Sequence, residues 1–288
     1  MFSRAHDLSW GDGGERHVPA GLDLSRPSSA RVYDYMLGGK DHFAVDRAAG
    51  ELLKKNMGPG WDSRRNGLDN RAFLRRVVRY LVREVGIRQF IDIGSGLPTL
   101  GNVHEVAQES DPGARVVYVD NDPMVLVHCR ALLGDSPTTK IISADLRRPE
   151  TVLDHEAVRG FIDFGQPVGL LLFAIVHHLR DDERPGDIMA VLRDRLAPGS
   201  HLAISHFFNP GAERPEVAAK VLAGERIFNE KLGTGRFRHH DEILRYFGDF
   251  EPVEPGLVML PDWRPDPDTD RSMFPGYHMF AGGVARKG

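Results

Sequence analysis

Gln89-Phe-Ile-Asp-Ile-Gly-Ser-Gly-Leu-Pro-Thr99 decides how this chain is read. Phe90-Ile-Asp-Ile93 is a short apolar run, of the kind that forms a strand buried on both faces of a parallel sheet. Gly94-Ser95-Gly96 follows without a break, and Pro98 suits the first position of a helix. Strand, glycine turn and helix together bring backbone close to a ligand at the carboxyl end of a central strand. Gly94 and Gly96 can take positive φ and put no side chain in that ligand's way.

The same unit recurs downstream. Residues 115–120 form a second apolar strand that ends in a carboxylate, Asp120, and Asp122-Pro123 opens the helix after it. Residues 140–145 are a third strand, again closed by an aspartate. Residues 168–175 are a fourth, apolar throughout, and residues 200–208 a fifth. Helical segments at residues 103–108, 124–132 and 187–196 separate them. This alternation implies βαβ units, right-handed crossovers and a parallel sheet. After the fifth strand come helices over 213–230 and 241–247, then strands over 250–260 and 277–286 that read as an antiparallel pair around a proline-rich loop.

Upstream, residues 1–21 are polar and glycine-rich and are expected to be a disordered tail. Residues 22–88 read as a helical arm. Its first helix is capped by Ser28 or Ser29 and ends at Gly38-Gly39, and its second ends at Gly58-Pro59-Gly60. Asp62 or Ser63 caps a third helix with an apolar stripe through Phe73, Leu74, Val77 and Val78. Seven arginines between Arg64 and Arg83 are expected to form its solvated face, with Asn70-Arg71 the pair placed to reach the cleft.

Composition narrows the function classes. With 41% hydrophobic and 27% charged residues the chain can bury a large core. A formal net charge of −4 gives no nucleic-acid footprint. One cysteine, Cys129, rules out an internal disulfide and argues against a thiolate metal cluster. His177 and His178 are adjacent, share no face and make a poor metal pair, so no metal is expected. No apolar run reaches about 18 residues and no signal-like segment opens the chain, so a cytoplasmic protein without membrane partners is expected.

The strand ends carry the chemistry. A carboxylate at the position of Asp120 accepts hydrogen bonds from ribose, its two oxygens matching two vicinal hydroxyls. Asp145 could take the exocyclic amine of an adenine, and Phe173, Ala174 and Ile175 could offer an apolar wall. A pyrophosphate calls for Gly-x-Gly-x-x-Gly at a helix N-terminus. Leu97-Pro98-Thr99 supplies no third glycine, and Pro98 has no N–H to donate. The turn therefore argues against a dinucleotide, and so against a nicotinamide oxidoreductase, and for a ligand with an amino-acid tail.

Ile91-Asp-Ile-Gly-Ser-Gly96, Val117-Tyr-Val-Asp-Asn-Asp122, Ser143-Ala-Asp-Leu146 and Leu171-Leu-Phe-Ala-Ile-Val-His-His-Leu179 resemble, in order, the motifs of class I S-adenosylmethionine-dependent methyltransferases. The arm Arg26-Pro-Ser-Ser-Ala-Arg-Val-Tyr-Asp-Tyr-Met-Leu-Gly-Gly39 is similar to that of a bacterial family known simply as S-adenosyl methyltransferases. So are Val253-Glu-Pro-Gly-Leu-Val258 and Trp263-Arg-Pro265. The resemblance runs from about Leu22 to the end. It implies an α/β fold: a doubly wound, mostly parallel, Rossmann-like seven-stranded sheet with an antiparallel edge strand. Residues 89–288 would be the methyltransferase domain, with a helical insertion at 211–247.

The implied cofactor is S-adenosylmethionine. Asp92, Gly94, Ser95 and Gly96 would hold its methionine end, Asp120 and Asn121 its ribose, and Asp145 and Leu146 its adenine. Phe173 and Ala174 would line the cleft by the sulfonium, with Tyr35 and Met36 closing over it from the arm. His177 is the candidate base, should the acceptor need to lose a proton. The acceptor is expected to be a small molecule, and Phe207, Phe208, Phe228, Phe237 and Trp263 hint at an apolar or aromatic one. The alternative is a non-catalytic binder of the cofactor, a sensor or partner subunit, which needs no acceptor-sized pocket under residues 213–230.

Overall fold

The computed structural model describes residues 22–58, 61–98, 101–134 and 136–288. The expected tail at 1–21 and Thr99 of the glycine turn lie outside the described residues. Eight strands are present among the described residues: β1 (Gln89–Ile93), β2 (Arg115–Asp120), β3 (Thr139–Ser143), β4 (Gly169–Phe173), β5 (His201–Phe207), β6 (Glu251–Pro252), β7 (Val258–Met259) and β8 (Phe280–Arg286). The first five are parallel in the order β3-β2-β1-β4-β5. β8 runs antiparallel beside β5, and the two-residue strands β6 and β7 pair with its other side. The order reverses between β1 and β4, and the cleft outside the carboxyl ends there is where doubly wound sheets bind ligands.

The helices are α1 (Ser29–Leu37), α2 (Ala44–Met57), α3 (Ser63–Tyr80), α4 (Val103–Gln108), α5 (Pro123–Leu133), α6 (Pro149–Leu153), α7 (Glu156–Arg159), α8 (Pro185–Asp194), α9 (Pro215–Leu232) and α10 (His240–Leu244). Strand periodicity sends alternate residues to opposite layers. Phe90 of β1 packs in one cluster with Phe73 and Val77 of α3 and Val103 of α4. Ile91 and Ile93 pack in another with Val152 of α6 and Met189 and Leu192 of α8. α3 thus covers the sheet. The rest of the arm belongs elsewhere: Val32 of α1 and Leu53 and Met57 of α2 share a third core with Val221 and Phe228 of α9, and with Phe237.

Cap chemistry sets most boundaries. Ser28 accepts the Arg31 N–H at the start of α1, Asp62 that of Arg65 at α3, and Asp122 that of Met124 at α5. Two expectations fail locally. Pro98 does not open a helix: α4 starts five residues later, where Glu105 accepts the N–H groups of Gly101 and Asn102 at 2.8 Å each. The arginines of α3 are not all solvated: Arg76 is 4% exposed and donates to the carbonyls of Trp263 at 2.9 Å and Leu260 at 2.6 Å. No helix among the described residues is long and apolar enough to cross a membrane.

Candidate functional site

One cavity of about 340 Å3 opens at the carboxyl ends of β1, β2 and β4 and runs under α1 to α9. Its floor is the glycine turn. Gly94 and Gly96 have φ of 75° and 67°. A Cβ on Gly94 would meet the Ile175 side chain at 2.5 Å, so a side chain there is excluded twice, by conformation and by space. A Cβ on Gly96 would meet nothing within 4 Å and would project into open room beside the turn. The turn is tied to β2, because Gly94 N–H donates to the Val119 carbonyl at 2.8 Å and Gly96 N–H to Asp120 Oδ2 at 2.9 Å. Asp120 Oδ1 accepts the Asp122 N–H at 2.9 Å, so its carboxylate is held at both oxygens while it lines the cavity.

Electrostatics concentrate at the methionine-length end of this floor. Asp92 is 5% exposed, and burial pushes its carboxyl up to about 7, against the opposing pull of Arg71 and with a further push from Asp120. Burial likewise raises Asp120 to about 6, with the Asp122 and Gly96 N–H groups opposing. Arg71, from α3, donates Nη2 to the Leu97 carbonyl at 3.3 Å, while its buried Nε has no partner. Ser95 Oγ is buried and unpartnered as well. Buried polar groups are nearly always satisfied, and these two line the same cavity. A carboxylate and a guanidinium facing one glycine turn suit a zwitterionic amino-acid tail, and Asp120 suits a ribose diol. The donor set therefore fits S-adenosylmethionine.

The roof is the arm. Ser28 Oγ donates to Asp122 Oδ2 at 2.5 Å, clasping the start of α1 to the start of α5. Tyr33 Oη donates to the Gly67 carbonyl at 3.1 Å and accepts from Asn70 Nδ2 at 3.2 Å. Asn70 Oδ1 accepts from Ser205 Oγ at 2.6 Å, and that hydroxyl accepts the Ala174 N–H at 2.9 Å. A chain of hydrogen bonds thus runs from arm to α3, to β5 and to the end of β4. There Ala174 sits at φ 55°, a strained conformation for a residue with a Cβ.

Most of the expected residues meet at this cavity. Met36, Asp92, Gly94, Ser95, Gly96, Asp120, Asn121, Phe173, Ala174 and His177 all line it. Three do not. Tyr35 turns away, its hydroxyl on Glu51 and its ring under Lys54 Nζ at 4.4 Å; Tyr33, on the helical face shared with Met36, takes the place expected for it. Leu146 is 6% exposed inside the hydrophobic cluster beneath the sheet. Asp145 stands at the rim, bonded by Arg147 at 3.2 Å and Asn121 at 3.4 Å, and it is those two partners that line the cavity.

His177 is 1% exposed, stacks on Phe207 at 3.6 Å, and its Nδ1 accepts the Phe207 N–H at 3.3 Å. That bond puts the ring proton on Nε2 and leaves a donor, not a proton acceptor, for anything else it touches. Burial, with His178, His206 and Arg238 adding to it, holds its pKa well below the usual range. Sequence reasoning brings Asn70 and Arg71 toward the cleft and counts Tyr33 among the large groups of the arm, but it passes over Ser205 and the hydrogen bonds that join these residues. The polar residues of α3 give no periodic signal, because one helix face carries both core and cavity.

The S-adenosyl methyltransferase family matches residues 15–288. The chain belongs to this family. S-adenosylmethionine is accordingly its cofactor, and methyl transfer its class of chemistry. Among solved structures, a Thermobifida fusca YX protein assigned as a methyltransferase is 46% identical, with a TM-score of 0.87 over 95% of this chain and 99% of that one. A DUF574 family protein of Streptomyces avermitilis MA-4680 is 37% identical, with a TM-score of 0.85 over 92% of this chain and 99% of that one. The search of curated proteins finds no match.

Proposed function

We propose that this methyltransferase acts on a small-molecule acceptor held in the ring-lined part of the cavity that also holds the cofactor. One observation carries the reading: a single cavity joins the carboxylates Asp92 and Asp120 to Phe207, Phe228 and Phe237 with no wall between them. The acceptor-sized space expected under α9 is thus a continuation of the cofactor cleft, with Phe228 and Leu232 of α9 in its lining. A binder without catalysis would need the strand-end half alone.

Bound S-adenosylmethionine supplies an activated methyl group, ready for in-line displacement by a nucleophile. The chain's work is then alignment and exclusion of water, which together can lower a barrier by about 7–11 kcal/mol. Asp92 and Arg71 hold the two charges of the amino-acid tail. Asp120 takes the ribose hydroxyls, with Asn121 beside it. Phe173 and Ala174 line the cavity at the end of β4, and Met36 and Tyr33 close it from above. His177 serves as a fixed ring wall.

Calorimetric titration with S-adenosylmethionine, S-adenosylhomocysteine and NAD tests the cofactor half. Micromolar binding of the first two, weakened about 100-fold by Asp120→Ala, is expected, since charge-assisted hydrogen bonds contribute about 1.5–3 kcal/mol each. Binding of NAD in preference to both would overturn the assignment of Asp92, Arg71 and Asp120.

A further inference from the structure

The charged residues of the cavity sit at one end. Asp92, Asp120, Asp122 and Arg147 stand at strand ends, and Arg71 stands opposite them on α3. The other end is built from rings. Phe207, at the end of β5, stacks on Phe237 at 4.6 Å and on His177 at 3.6 Å, nearly parallel to both. Phe280 meets Phe207 edge-on at 5.2 Å, and Phe228 is tilted against it at 5.0 Å. Met57 and Met279 complete this end, soft side chains that adapt to flat surfaces.

Few polar groups here have bonding capacity left. His177 Nδ1 is taken by the Phe207 N–H, which leaves that ring only its Nε2–H to donate. The Thr234 hydroxyl donates to the His178 carbonyl. His178 itself lines the cavity, and its Nδ1 is buried with no partner. A buried polar atom without a partner costs stability and in a native fold calls for a reason. His178 is also uncharged at neutral pH, since burial holds it down to about 4, with a backbone hydrogen bond to Thr234 opposing and Arg147 adding to the shift. Arg147 is itself committed to Glu183 at 2.6 Å and Asp145 at 3.2 Å, so it offers no free cation for an anionic acceptor.

We infer that the acceptor is an uncharged, flat, largely aromatic small molecule, packed among Phe207, Phe228, Phe237 and Phe280 with its hydroxyl or amine hydrogen-bonded to His178. The inference rests on the cofactor reading above, because the second ligand must fill the half of the cavity the first leaves. A charged group would enter an apolar chamber unpaired, with nothing to offset its desolvation. His178 acts as an orienting group: it fixes which atom of the ring system faces the cofactor end.

The test is equilibrium dialysis of protein saturated with S-adenosylhomocysteine against 2-naphthol, 2-methylnaphthalene and 2-naphthoate. These probes share one ring system and differ in a hydroxyl, a methyl and a carboxylate. 2-Naphthol is expected to bind at least tenfold tighter than 2-naphthoate. His178→Phe is expected to weaken 2-naphthol about tenfold and to leave 2-methylnaphthalene unchanged, whereas a merely structural role would lower both together. Phe237→Leu should weaken both, and retained S-adenosylhomocysteine binding shows each variant folded. A protein that binds S-adenosylhomocysteine but none of the probes, or that prefers 2-naphthoate, overturns this inference alone. So does equal loss of both neutral probes in His178→Phe. A protein that fails to bind S-adenosylhomocysteine overturns the cofactor reading, and this inference with it.

Discussion

Replacing Asp92 by asparagine should make the cofactor-free protein more stable at neutral pH and worse at its task. The carboxyl of Asp92 lies at about 7 in the fold against an ordinary value of 3.8, because burial penalises the charged form. In that window the folded state holds a proton that the unfolded chain has released, so stability falls as pH rises from about 4 to 7 and is flat above. At about 1.36 kcal/mol per pH unit, the interval between those two values amounts to about 4 kcal/mol lost by pH 8. The asparagine side chain has no such titration. Its amide brings a fixed cost of about 1–3 kcal/mol if its donors find no acceptor, so the change with pH is the sharper readout. Between pH 5 and pH 8 the stability of Asp92→Asn relative to wild type should rise by about 2–3 kcal/mol in urea unfolding of the cofactor-free protein. Calorimetry at pH 8 should show S-adenosylhomocysteine binding weakened at least tenfold in the variant. In wild type the affinity should climb as pH rises through 7, where Asp92 ionises to meet the ligand's ammonium group. A stability difference that does not change with pH, or that shrinks toward pH 8, would refute the placement of Asp92 as a buried carboxylate kept for its charge.

The remaining expectations concern the same cavity. Arg71→Met should weaken S-adenosylhomocysteine about 10- to 100-fold but leave 5′-methylthioadenosine unchanged, because only the former has the carboxylate that Arg71 faces; equal losses in calorimetry would move Arg71 out of the tail subsite. Ser28→Ala removes both the 2.5 Å clasp to Asp122 and the cap of α1, and should raise the dissociation rate of S-adenosylhomocysteine severalfold in stopped flow while costing about 1 kcal/mol in urea unfolding. Gly94→Ala should cost about 2 kcal/mol or more in urea unfolding, since φ of 75° is itself unfavourable by about 1–2 kcal/mol for an L residue and Ile175 crowds the new methyl.

The parallel core is legible because buried central strands are apolar throughout and end where polar caps begin. β2 reads true to the residue, and β1, β4 and β5 to within a residue or two. The late strands are harder: β6 and β7 are two residues each and pair only with β8, so no periodicity of their own marks them. The error at Tyr35 is one of helix phase. Tyr33 and Met36 share a face and Tyr35 does not, but composition alone does not say which face of α1 looks into the cavity. Arg76 misleads because an arginine bonded to two carbonyls leaves the same trace in sequence as one in water. Asp145 and Leu146 follow from their strand end, yet the chain turns there so that Asn121 and Arg147 reach the cavity instead. Asp92, Gly94, Ser95, Gly96 and Asp120 come together because they share the one turn and the one strand end that topology brings face to face.

The third core also bears on how such a protein could change its acceptor. Its two halves are far apart in sequence: α1 and α2 on one side, α9 and Phe237 on the other, with Met57 so close to Gly224 that an added Cβ there would meet its sulfur at 2.7 Å. They form one inheritable cap over a sheet that supplies the cofactor floor. A chimera taking only residues 22–58 from a relative imports half an interior and clashes with the half it keeps. One that takes residues 22–58 and 211–238 together carries both facing halves of that interior, and changes Phe228 and Phe237 of the acceptor chamber while leaving Phe207, Phe280, Met279 and His178 of that chamber, and Asp92 and Asp120, where they are.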